Sequence, residues 1–268
     1  MSRPTLVVPC YNEALRLPVI EFARSMAQPR GPRLLFVNDG SRDETSSLLD
    51  ELASRNPARA SVLNLATNRG KAEAVRHGIL QAFATGATVA GFWDADLATP
   101  LDELARLEEA LVRRPELEMV IGSRISLLGN SIQRDPLRHG LGRVVAGSIG
   151  WTLGLQVHDT QCGAKLFRST ATMKSIFSVP FITRWLFDVE ILARIISLNR
   201  AGKAGRPEAI ALELPLGRWD HVGGSKVKPA DFFRAFHDLT RIWRATLAPG
   251  AAFIPAEGPQ AAPDALAA

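Results

Sequence analysis

Short apolar segments alternate with helical segments through the first 125 residues, and this alternation restricts the fold more than any other feature of the sequence. Five apolar segments are predicted to be strands, at 5–9, 33–39, 60–66, 88–96 and 118–124. Helical patterns lie between them at 13–27, 41–55 and 71–84, and a fourth begins at Thr99-Pro100. Ser41 and Glu44 have the spacing of a capping box, and Thr99 before Pro100 has that of a helix cap. Strands separated by helices of about ten to fifteen residues predict an α/β fold, with a mostly parallel sheet covered by helices on both faces.

The second half of the sequence is less regular. Residues 137–155 are apolar and rich in glycine, and they are predicted to be helical. Strands are predicted at 163–168 and 207–216, and helices at 187–199 and 229–247. In the last helix an apolar stripe is formed by Phe232, Phe236, Leu239 and Trp243. Such a stripe is typical of a helix packed on its own domain, and equally of an interfacial helix on an anionic membrane. The Ala-, Pro- and Gly-rich segment 249–268 is predicted to be a disordered tail.

The composition argues against several classes of protein. With 46% hydrophobic and 22% charged residues among 268, the chain can form a sizeable core. Its formal charge of +5 is spread along the chain without a polybasic run, so we expect no nucleic-acid partner. Cys10 and Cys162 stand outside any CxxC or His-rich cluster, which argues against structural zinc. The N-terminus resembles no secretory signal, and the longest uncharged stretch, 144–157, is shorter than the roughly twenty apolar residues of a membrane span. We therefore expect a cytoplasmic protein that does not cross a membrane.

Polar residues collect where the predicted strands end. In a parallel α/β sheet, ligands bind beyond the carboxyl ends of the strands, and these ends share one edge. The segments expected at that edge are 9–13, 38–39, 68–71, 94–96 and 122–124. The sequence therefore predicts a binding site along this edge.

The segment Asp94-Ala95-Asp96 ends the fourth predicted strand and supplies two carboxylates one residue apart. The glycine motifs of dinucleotide-binding and P-loop proteins are absent from the sequence, so acidic groups at this edge suggest a divalent cation. In an extended segment both carboxylates point to the same side, because side chains alternate with a period of two. One carboxylate could then hold Mg²⁺ or Mn²⁺ while the other supports it. The alternative is a pair of helix-capping residues, since a helix follows closely.

Several motifs in order resemble those of one enzyme family. "VVPCYNEA", "VNDGSRDET", "NRGKAEAV", "DADLATP" and "GSR" together resemble a family 2 glycosyltransferase of the GT-A type. "DTQCGAKLFR", "RWLFDVEIL" and "RWDHVGGSK" in the second half are similar to the dolichyl-phosphate glucosyl- and mannosyltransferase branch. The resemblance implies a GT-A-like domain over 1–248. Residues 1–125 would bind the nucleotide sugar, and 126–248 would form an acceptor-side extension.

The resemblance also implies roles for individual residues. Asp96, Arg124 and Lys226 would be catalytic, and Asp94 and Asp96 would bind the metal ion, Mg²⁺ or Mn²⁺, with Asp96 the direct ligand. The nucleotide-sugar site would comprise Pro9, Tyr11, Glu13, Val37, Asp39, Lys71, Asp94, Ala95, Asp96, Arg124, Ser225 and Lys226. The acceptor side would comprise Asp159, Gln161, Arg184 and Asp188.

Two residues depart from the pattern of the family. Asn38 stands where many relatives have an aspartate, and Ala98 stands where mannosyl relatives often have a glutamine near the metal. The first departure removes nothing essential. The second leaves metal affinity and donor choice open.

The activity implied is inverting transfer of a hexose from a nucleotide sugar to a polyprenyl phosphate, at the inner face of a membrane. UDP-glucose is the expected donor, because Trp219 and Gly224-Ser225-Lys226 follow the glucosyl version, and GDP-mannose is the alternative. A phosphate acceptor is already an anion near pH 7 and needs no general base. A hydroxyl acceptor on a glycan would need one, and Asp159 and Asp188 are the candidates, although both could be structural. The remaining alternative is a nucleotide-sugar-binding protein without catalytic activity.

Overall fold

A computed structural model describes residues 3–125, 131–132, 147–220 and 229–256, and its centre is a seven-stranded sheet. The strands are β1 (Thr5–Cys10), β2 (Arg33–Asp39), β3 (Ala60–Leu65), β4 (Val89–Trp93), β5 (Met119–Ser123), β6 (Ser131–Ile132), β7 (Ala164–Arg168), β8 (Ala211–Pro215) and β9 (Arg218–Trp219). The helices are α1 (Val19–Ala27), α2 (Thr45–Arg55), α3 (Lys71–Ala84), α4 (Leu104–Arg113), α5 (described over 147–153), α6 (Ala171–Phe177), α7 (Phe187–Arg200), α8 (Pro207–Ile210) and α9 (Pro229–Thr246).

The strand order of the sheet is β3-β2-β1-β4-β7-β5-β8. β1, β2, β3 and β4 run parallel, and β5 pairs in parallel with β8. β7 lies antiparallel between β4 and β5, so it begins at the edge where they end. One core packs α3, α6, α7 and α9 against one face of the sheet, and a second core packs α1, α2 and α4 against the other. The predicted α/β fold with helices on both faces is confirmed.

Several predicted elements have the expected positions, and α1 is shorter than expected. β2 and α3 have the predicted bounds, and β7 and α7 differ from the predicted segments by one residue. The helix predicted from residue 13 begins only at Val19. Asn12 has a φ of 53°, and the Glu13 carbonyl accepts the N–H groups of Arg16 and Leu17 in an isolated turn. Pro18 then precedes the helix, because a proline is tolerated at the start of a helix and not in its interior.

Both predicted helix caps are wrong. The Ser41 hydroxyl accepts the N–H of Asn12 instead of capping α2, and α2 begins at Thr45. Asp43 accepts from the backbone and the hydroxyl of Thr45 at that point. Thr99 is buried, with its hydroxyl 3.9 Å from the Cys162 sulfur, and a short 3-10 turn (Leu101–Glu103) leads into α4. In each case a contact with another loop displaces the local cap.

Two expectations about the second half need correction. The strand predicted over 207–216 is a short helix, α8, followed by β8, because Pro207 occupies a first-turn position that proline favours. In α9 the buried positions are Ala235, Leu239, Ile242 and Thr246, whereas Phe236 and Trp243 of the predicted stripe are each about two-fifths exposed, at 42% and 41%. The side chain of Phe232 lies outside the described residues. Within the described part of the chain, no helix is long and apolar enough to cross a membrane.

The prediction of a disordered tail is wrong for residues 249–256. The Phe253 N–H donates to the Ser197 hydroxyl (2.8 Å), and the Ala256 N–H donates to the Ser178 hydroxyl (3.0 Å). The Phe253 ring also lies 4.7 Å from the guanidinium carbon of Arg194. Residues 257–268 lie outside the described part of the chain. The segment 249–256 therefore packs against α7 as part of the domain.

Ending the chain after Ala248 is expected to lower the free energy of unfolding by about 2 kcal/mol, because two hydrogen bonds and the Phe253–Arg194 contact are lost. For a domain of this size that is a fall of roughly 4–8 °C in Tm, measured by a thermal melt. A chain ending after Ala256 is the matched control and should melt like the parent. Equal melting of both truncated chains and the parent would show that 249–256 adds nothing.

Candidate active site

The residues Asp94-Ala95-Asp96 follow β4 in a turn rather than extending the strand. The Leu97 N–H donates to the Asp94 carbonyl (3.1 Å), and Leu97 has a φ of 51°. Ala95 is buried in the core, which leaves the two carboxylates at the surface on either side of it. The expectation of an extended Asp-x-Asp segment is therefore wrong, and the two carboxylates have different surroundings.

Asp94 is held between β7 and the start of α3. Its backbone N–H donates to the Gly163 carbonyl (2.9 Å), and a Cβ at Gly163 would lie 2.0 Å from the Asp94 carboxylate. Its Oδ1 lies 2.5 Å from Lys71 Nζ. Burial would lower the pKa of Lys71, but Asp94, with Asp188 and Asp96 further away, raises it above its ordinary value. Lys71 is therefore a fixed cation at the expected edge of the sheet.

Asp96 is exposed beside this ion pair. Its Oδ1 accepts the N–H of Ala98 (3.0 Å) within its own turn. The 3-10 turn begins only at Leu101, so Asp96 does not cap it, and the capping alternative for this carboxylate is wrong. Asp96 also lies close enough to Lys71 and Arg16 to affect the pKa of both. A second carboxylate is thus presented to solvent next to a lysine and an arginine.

Arg124 follows β5 and pairs with Asp159. Its Nε and Nη2 donate to the two carboxylate oxygens (2.7 and 2.8 Å), and its backbone N–H donates to Oδ2 (2.9 Å). The guanidinium lies 5.7 Å from the Trp219 ring. Burial would raise the pKa of Asp159, but the hydrogen bonds from Arg124 lower it. The stabilisation by this pair is therefore complete above the ordinary pKa of about 4 and is lost as the pH falls through the lowered value.

Glu213 on β8 orders the segment that carries Asp159, a role that the sequence analysis did not predict. Its carboxylate accepts the Ser123 hydroxyl (2.7 Å) and the backbone N–H groups of His158 (2.9 Å) and Asp159 (2.7 Å). Glu213 therefore fixes Asp159, which in turn fixes Arg124. A charged residue within a short apolar strand was the available signal.

Asp188 does not lie in an open acceptor site. It is buried in the first turn of α7, with Oδ1 2.6 Å from Lys165 Nζ. Lys165 is fully buried on β7, donates to the Cys162 carbonyl (2.6 Å) and lies 4.9 Å from the Phe92 ring. Burial raises the pKa of Asp188, and Lys165 opposes this rise. The carboxylate is enclosed rather than open to an acceptor, so the acceptor-side role of Asp188 stays a prediction, and Lys165 was missed as its partner.

Asp39 and Arg184 lie together near the end of β2. Asp39 accepts the backbone N–H groups of Arg69 (2.7 Å) and Gly70 (2.8 Å), and burial raises its pKa. The Arg184 side chain donates to Asn68 Oδ1 (2.7 Å) and lies against Gly70. Arg184 was assigned to the acceptor side, but the structure places it beside the predicted nucleotide residue Asp39.

The remaining predicted residues differ in what their side chains can reach. Val37 is fully buried and packs against Gly78 of α3, so its side chain cannot hold a base at the edge. Glu13 is engaged by Arg16 and by the hydroxyl of Thr45, which accepts its N–H (2.8 Å). Pro9 and Tyr11 are partly exposed near the end of β1, and the nitrogen of the Gln161 side chain is buried without a hydrogen-bond partner in the described part of the chain. Ser225 and Lys226 lie outside the described residues.

The acidic groups fit a divalent cation that is shared with a substrate. Among the described residues no three His, Cys, Asp or Glu side chains are grouped as a metal site. Mg²⁺, however, is usually bound through one or two carboxylates together with substrate phosphates and water. Exposed Asp96 supplies such a carboxylate, and Asp94 is largely neutralised by Lys71. The donor set therefore suits a cation that arrives with a phosphorylated substrate.

Comparison with known proteins adds to this geometry. Residues 5–174 match the model of Glycosyl transferase family 2. Dolichyl-phosphate beta-glucosyltransferase of Homo sapiens is 34% identical over 241 residues, which cover 84% of this chain and 69% of that protein. The Drosophila melanogaster protein of the same name is 32% identical over 263 residues, which cover 89% and 74%.

Among solved structures, glucosyl-3-phosphoglycerate synthase of Mycobacterium tuberculosis, in complex with Mn²⁺, UDP-glucose and phosphoglyceric acid, is similar with a TM-score of 0.60. The sequences are 19% identical, and the match covers 90% of this chain and 79% of that one. At this identity the likeness concerns the fold alone, and it agrees with the GT-A-like fold that the sequence predicts. Because the family model matches more than half of the chain, this protein is a glycosyltransferase and belongs to glycosyl transferase family 2.

Proposed function

We propose that this enzyme transfers glucose from UDP-glucose to a polyprenyl phosphate, with inversion at the anomeric carbon. The observation that carries the proposal is the similarity, over most of the chain, to proteins named dolichyl-phosphate beta-glucosyltransferase. Transfer of this kind breaks the bond between the anomeric carbon and the diphosphate, and UDP leaves with the electron pair. An oxygen of the acceptor phosphate forms the new bond from the opposite face of the sugar.

The charges at the edge of the sheet suit a departing diphosphate. Lys71 and Arg124 are cations held by Asp94 and Asp159, so little rearrangement is needed when negative charge develops on the leaving group. Asp96 would hold Mg²⁺ or Mn²⁺ together with the diphosphate, and Asp94 would support it. Bound there, the cation would supply Lewis-acid stabilisation of the leaving oxygen. As the resemblance implies, Lys226 would neutralise phosphate charge as the diphosphate leaves, and Ser225 would belong to the nucleotide-sugar site.

The surroundings of Asp159 and Asp188 favour a phosphate acceptor over a hydroxyl acceptor. A hydroxyl would need a carboxylate base within hydrogen-bonding reach. Asp159 is occupied on both oxygens by Arg124, and Asp188 is buried against Lys165. A polyprenyl phosphate is an anion at pH 7 and reacts without such a base. A purely binding role is disfavoured, because a binding protein has no need of a metal carboxylate and leaving-group cations together.

A lipid acceptor also implies contact with a membrane, and we place the enzyme at the cytoplasmic face as a peripheral protein. α9 supports this location, because Phe236 and Trp243 are partly exposed beside the exposed side chains of Arg241 and Arg244. Aromatic and basic side chains together favour binding to an anionic interface.

The test supplies the purified enzyme with radiolabelled UDP-glucose, Mn²⁺ and a polyprenyl phosphate in anionic vesicles. We expect label in the organic extract as a β-linked product, and we expect the protein to sediment with the vesicles. GDP-mannose is the parallel donor, and a glycan hydroxyl is the parallel acceptor. Transfer of label only from GDP-mannose would reject UDP-glucose as the donor. Label found only in a water-soluble product would reject polyprenyl phosphate as the acceptor.

The pH dependence of this transfer should follow the acceptor rather than a side chain. We expect the rate to rise as the second proton leaves the phosphate, near pH 6, and then to stay level up to about pH 8. The Asp188→Asn variant serves as a control, and any folded sample of it should show the same rise. A variant that folds and binds UDP normally, yet loses about a thousandfold in rate, would reveal a general base worth roughly 4 kcal/mol.

A further inference from the structure

The loop before α7 delivers Arg184 to the edge of the sheet beside Asp39. The Arg184 Nη2 donates to Asn68 Oδ1, and the guanidinium lies where a side chain at Gly70 would be, since an added Cβ would come 2.7 Å from Nε. Gly70 has a φ of 93°, a conformation that glycine adopts readily. In this conformation its N–H donates to Asp39, and the space that a side chain would fill is occupied by the Arg184 guanidinium. Burial raises the pKa of Asp39, and the positive charge of Arg184 is near enough to oppose this rise.

A buried ion pair in α7 fixes this loop. Glu190 and Arg194 are almost inaccessible, and the Glu190 carboxylate accepts the N–H groups of Ile182 (2.9 Å) and Thr183 (3.3 Å), directly before Arg184. The Arg194 guanidinium donates to the loop carbonyls of Val179 and Pro180 and to the carbonyl of Ile176 near the end of α6. Burying two charges costs free energy that their attraction does not reliably return. The hydrogen bonds of this pair instead connect the loop to α7.

Two further contacts reach the same loop. The Phe181 N–H donates to the Glu73 carboxylate on α3 (3.0 Å). The Arg194 guanidinium lies between the rings of Phe181 and Phe253, 4.5 and 4.7 Å from their centres. The position of Arg184 is thus fixed from α3, from α7 and from the segment 249–256.

Asp39 and Arg184 present an acceptor and a donor side by side. Each Asp39 oxygen accepts one backbone N–H and keeps a lone pair for another donor. No ion pair within 4.0 Å joins the Asp39 and Arg184 side chains in the described part of the chain. Uracil presents a ring N–H flanked by carbonyl oxygens, which is the complementary pattern. An amide-like edge of this kind satisfies the carboxylate and the guanidinium together.

We infer that Arg184 is a nucleotide-binding residue that donates a hydrogen bond to a carbonyl oxygen of the base, beside Asp39, which accepts from the ring N–H. The base is uracil if the donor is UDP-glucose, so this inference rests on the proposed function for the identity of the base. Arg184 accordingly belongs to the donor side of the site and not to the acceptor side.

The test measures binding of UMP and of UDP to the full chain by calorimetry, with Mn²⁺ present and no acceptor added. The Arg184→Ala variant is expected to bind both nucleotides about 10- to 100-fold more weakly, because one charge-assisted hydrogen bond is lost. The loss should be the same factor for UMP and UDP, because the contact is with the base. Arg113→Ala, an exposed arginine of α4, is the matched control and should bind like the parent.

Unchanged affinity for both nucleotides would overturn the inference, and so would a loss confined to UDP, which would place Arg184 at the diphosphate. If Arg184→Ala melts well below the parent, Arg184→Lys decides instead. Lysine keeps the positive charge but lacks the planar set of N–H donors of the guanidinium. The inference therefore requires that Arg184→Lys bind UMP more weakly than the parent. Tighter binding of GDP than of UDP by the parent would reject the proposed donor. The same comparison with GMP and GDP would then still decide the role of Arg184.

Discussion

The Asp96→Ala variant is expected to lose at least about a thousandfold in the rate of transfer while its Tm stays close to that of the parent. The carboxylate is exposed and accepts a hydrogen bond within its own turn, so its removal costs little stability. In the proposed mechanism this carboxylate would hold the cation, which would stabilise the leaving diphosphate. Loss of that stabilisation raises the barrier by roughly 4 kcal/mol for each thousandfold.

Two measurements check this result independently of turnover. The parent should bind UDP more tightly when Mn²⁺ is added, and Asp96→Ala should show the same UDP affinity with and without Mn²⁺. Asp102→Ala removes another exposed aspartate six residues along the chain and should keep both the rate and the Mn²⁺ effect. An Asp96→Ala protein that binds UDP with the full Mn²⁺ enhancement would show that the ion is held elsewhere.

The Lys165→Met variant is expected to lose about 3–5 kcal/mol of folding free energy. Lys165 is fully buried between the Asp188 carboxylate, the Cys162 carbonyl and the Phe92 ring, so its removal leaves an uncompensated carboxylate inside the protein. Denaturant unfolding of the variant and the parent measures the difference. Lys174→Met, at an exposed position of α6, is the control and should unfold like the parent.

The double variant Lys165→Met with Asp188→Leu separates the cost of an unpaired charge from the loss of a useful contact. Because neither charge remains, it is expected to recover most of the stability that the single variant loses. A double variant as unstable as Lys165→Met alone would show that the contact between the two side chains stabilises the fold, and one as unstable as the sum of the two single variants would show that the two charges do not interact.

The alternation of strands and helices could be predicted because each element carries its own pattern. β2 and α3 are bounded in the sequence by residues that stop or start them, and the polar residues after each strand were correctly expected at one edge. Local sequence signals gave wrong predictions where a contact with another loop replaced the local hydrogen bond. The Ser41 hydroxyl accepts the N–H of Asn12 instead of capping α2. The strand expected to reach Asp96 ends at Trp93, because the Asp94 N–H donates to the Gly163 carbonyl.

Contacts between distant residues explain the rest of what the sequence did not reveal. Lys165 pairs with Asp188, and Glu213 with Asp159, although the members of each pair are far apart in the sequence. Hydrophobic periodicity predicts single elements and cannot show which side chains of two elements meet. The resemblance implied an acceptor-side role for Arg184, and its place beside Asp39 could not be predicted because it depends on the loop held by Glu190 and Arg194. The exposed faces of α9 were also misjudged, because its buried positions are set by contact with α7 rather than by the largest apolar residues.

The antiparallel strand β7 has a consequence for how this protein could be divided or recombined. β5 pairs with β7 and β8 and has no direct pairing with β4, so the sheet of the first 125 residues would lack the strand that joins β5 to it. The turn before β7 also supplies the glycine against which Asp94 rests. The sheet of the first 125 residues is thus completed by residues that follow them. Exchange of donor specificity between relatives would therefore require a segment that includes β7.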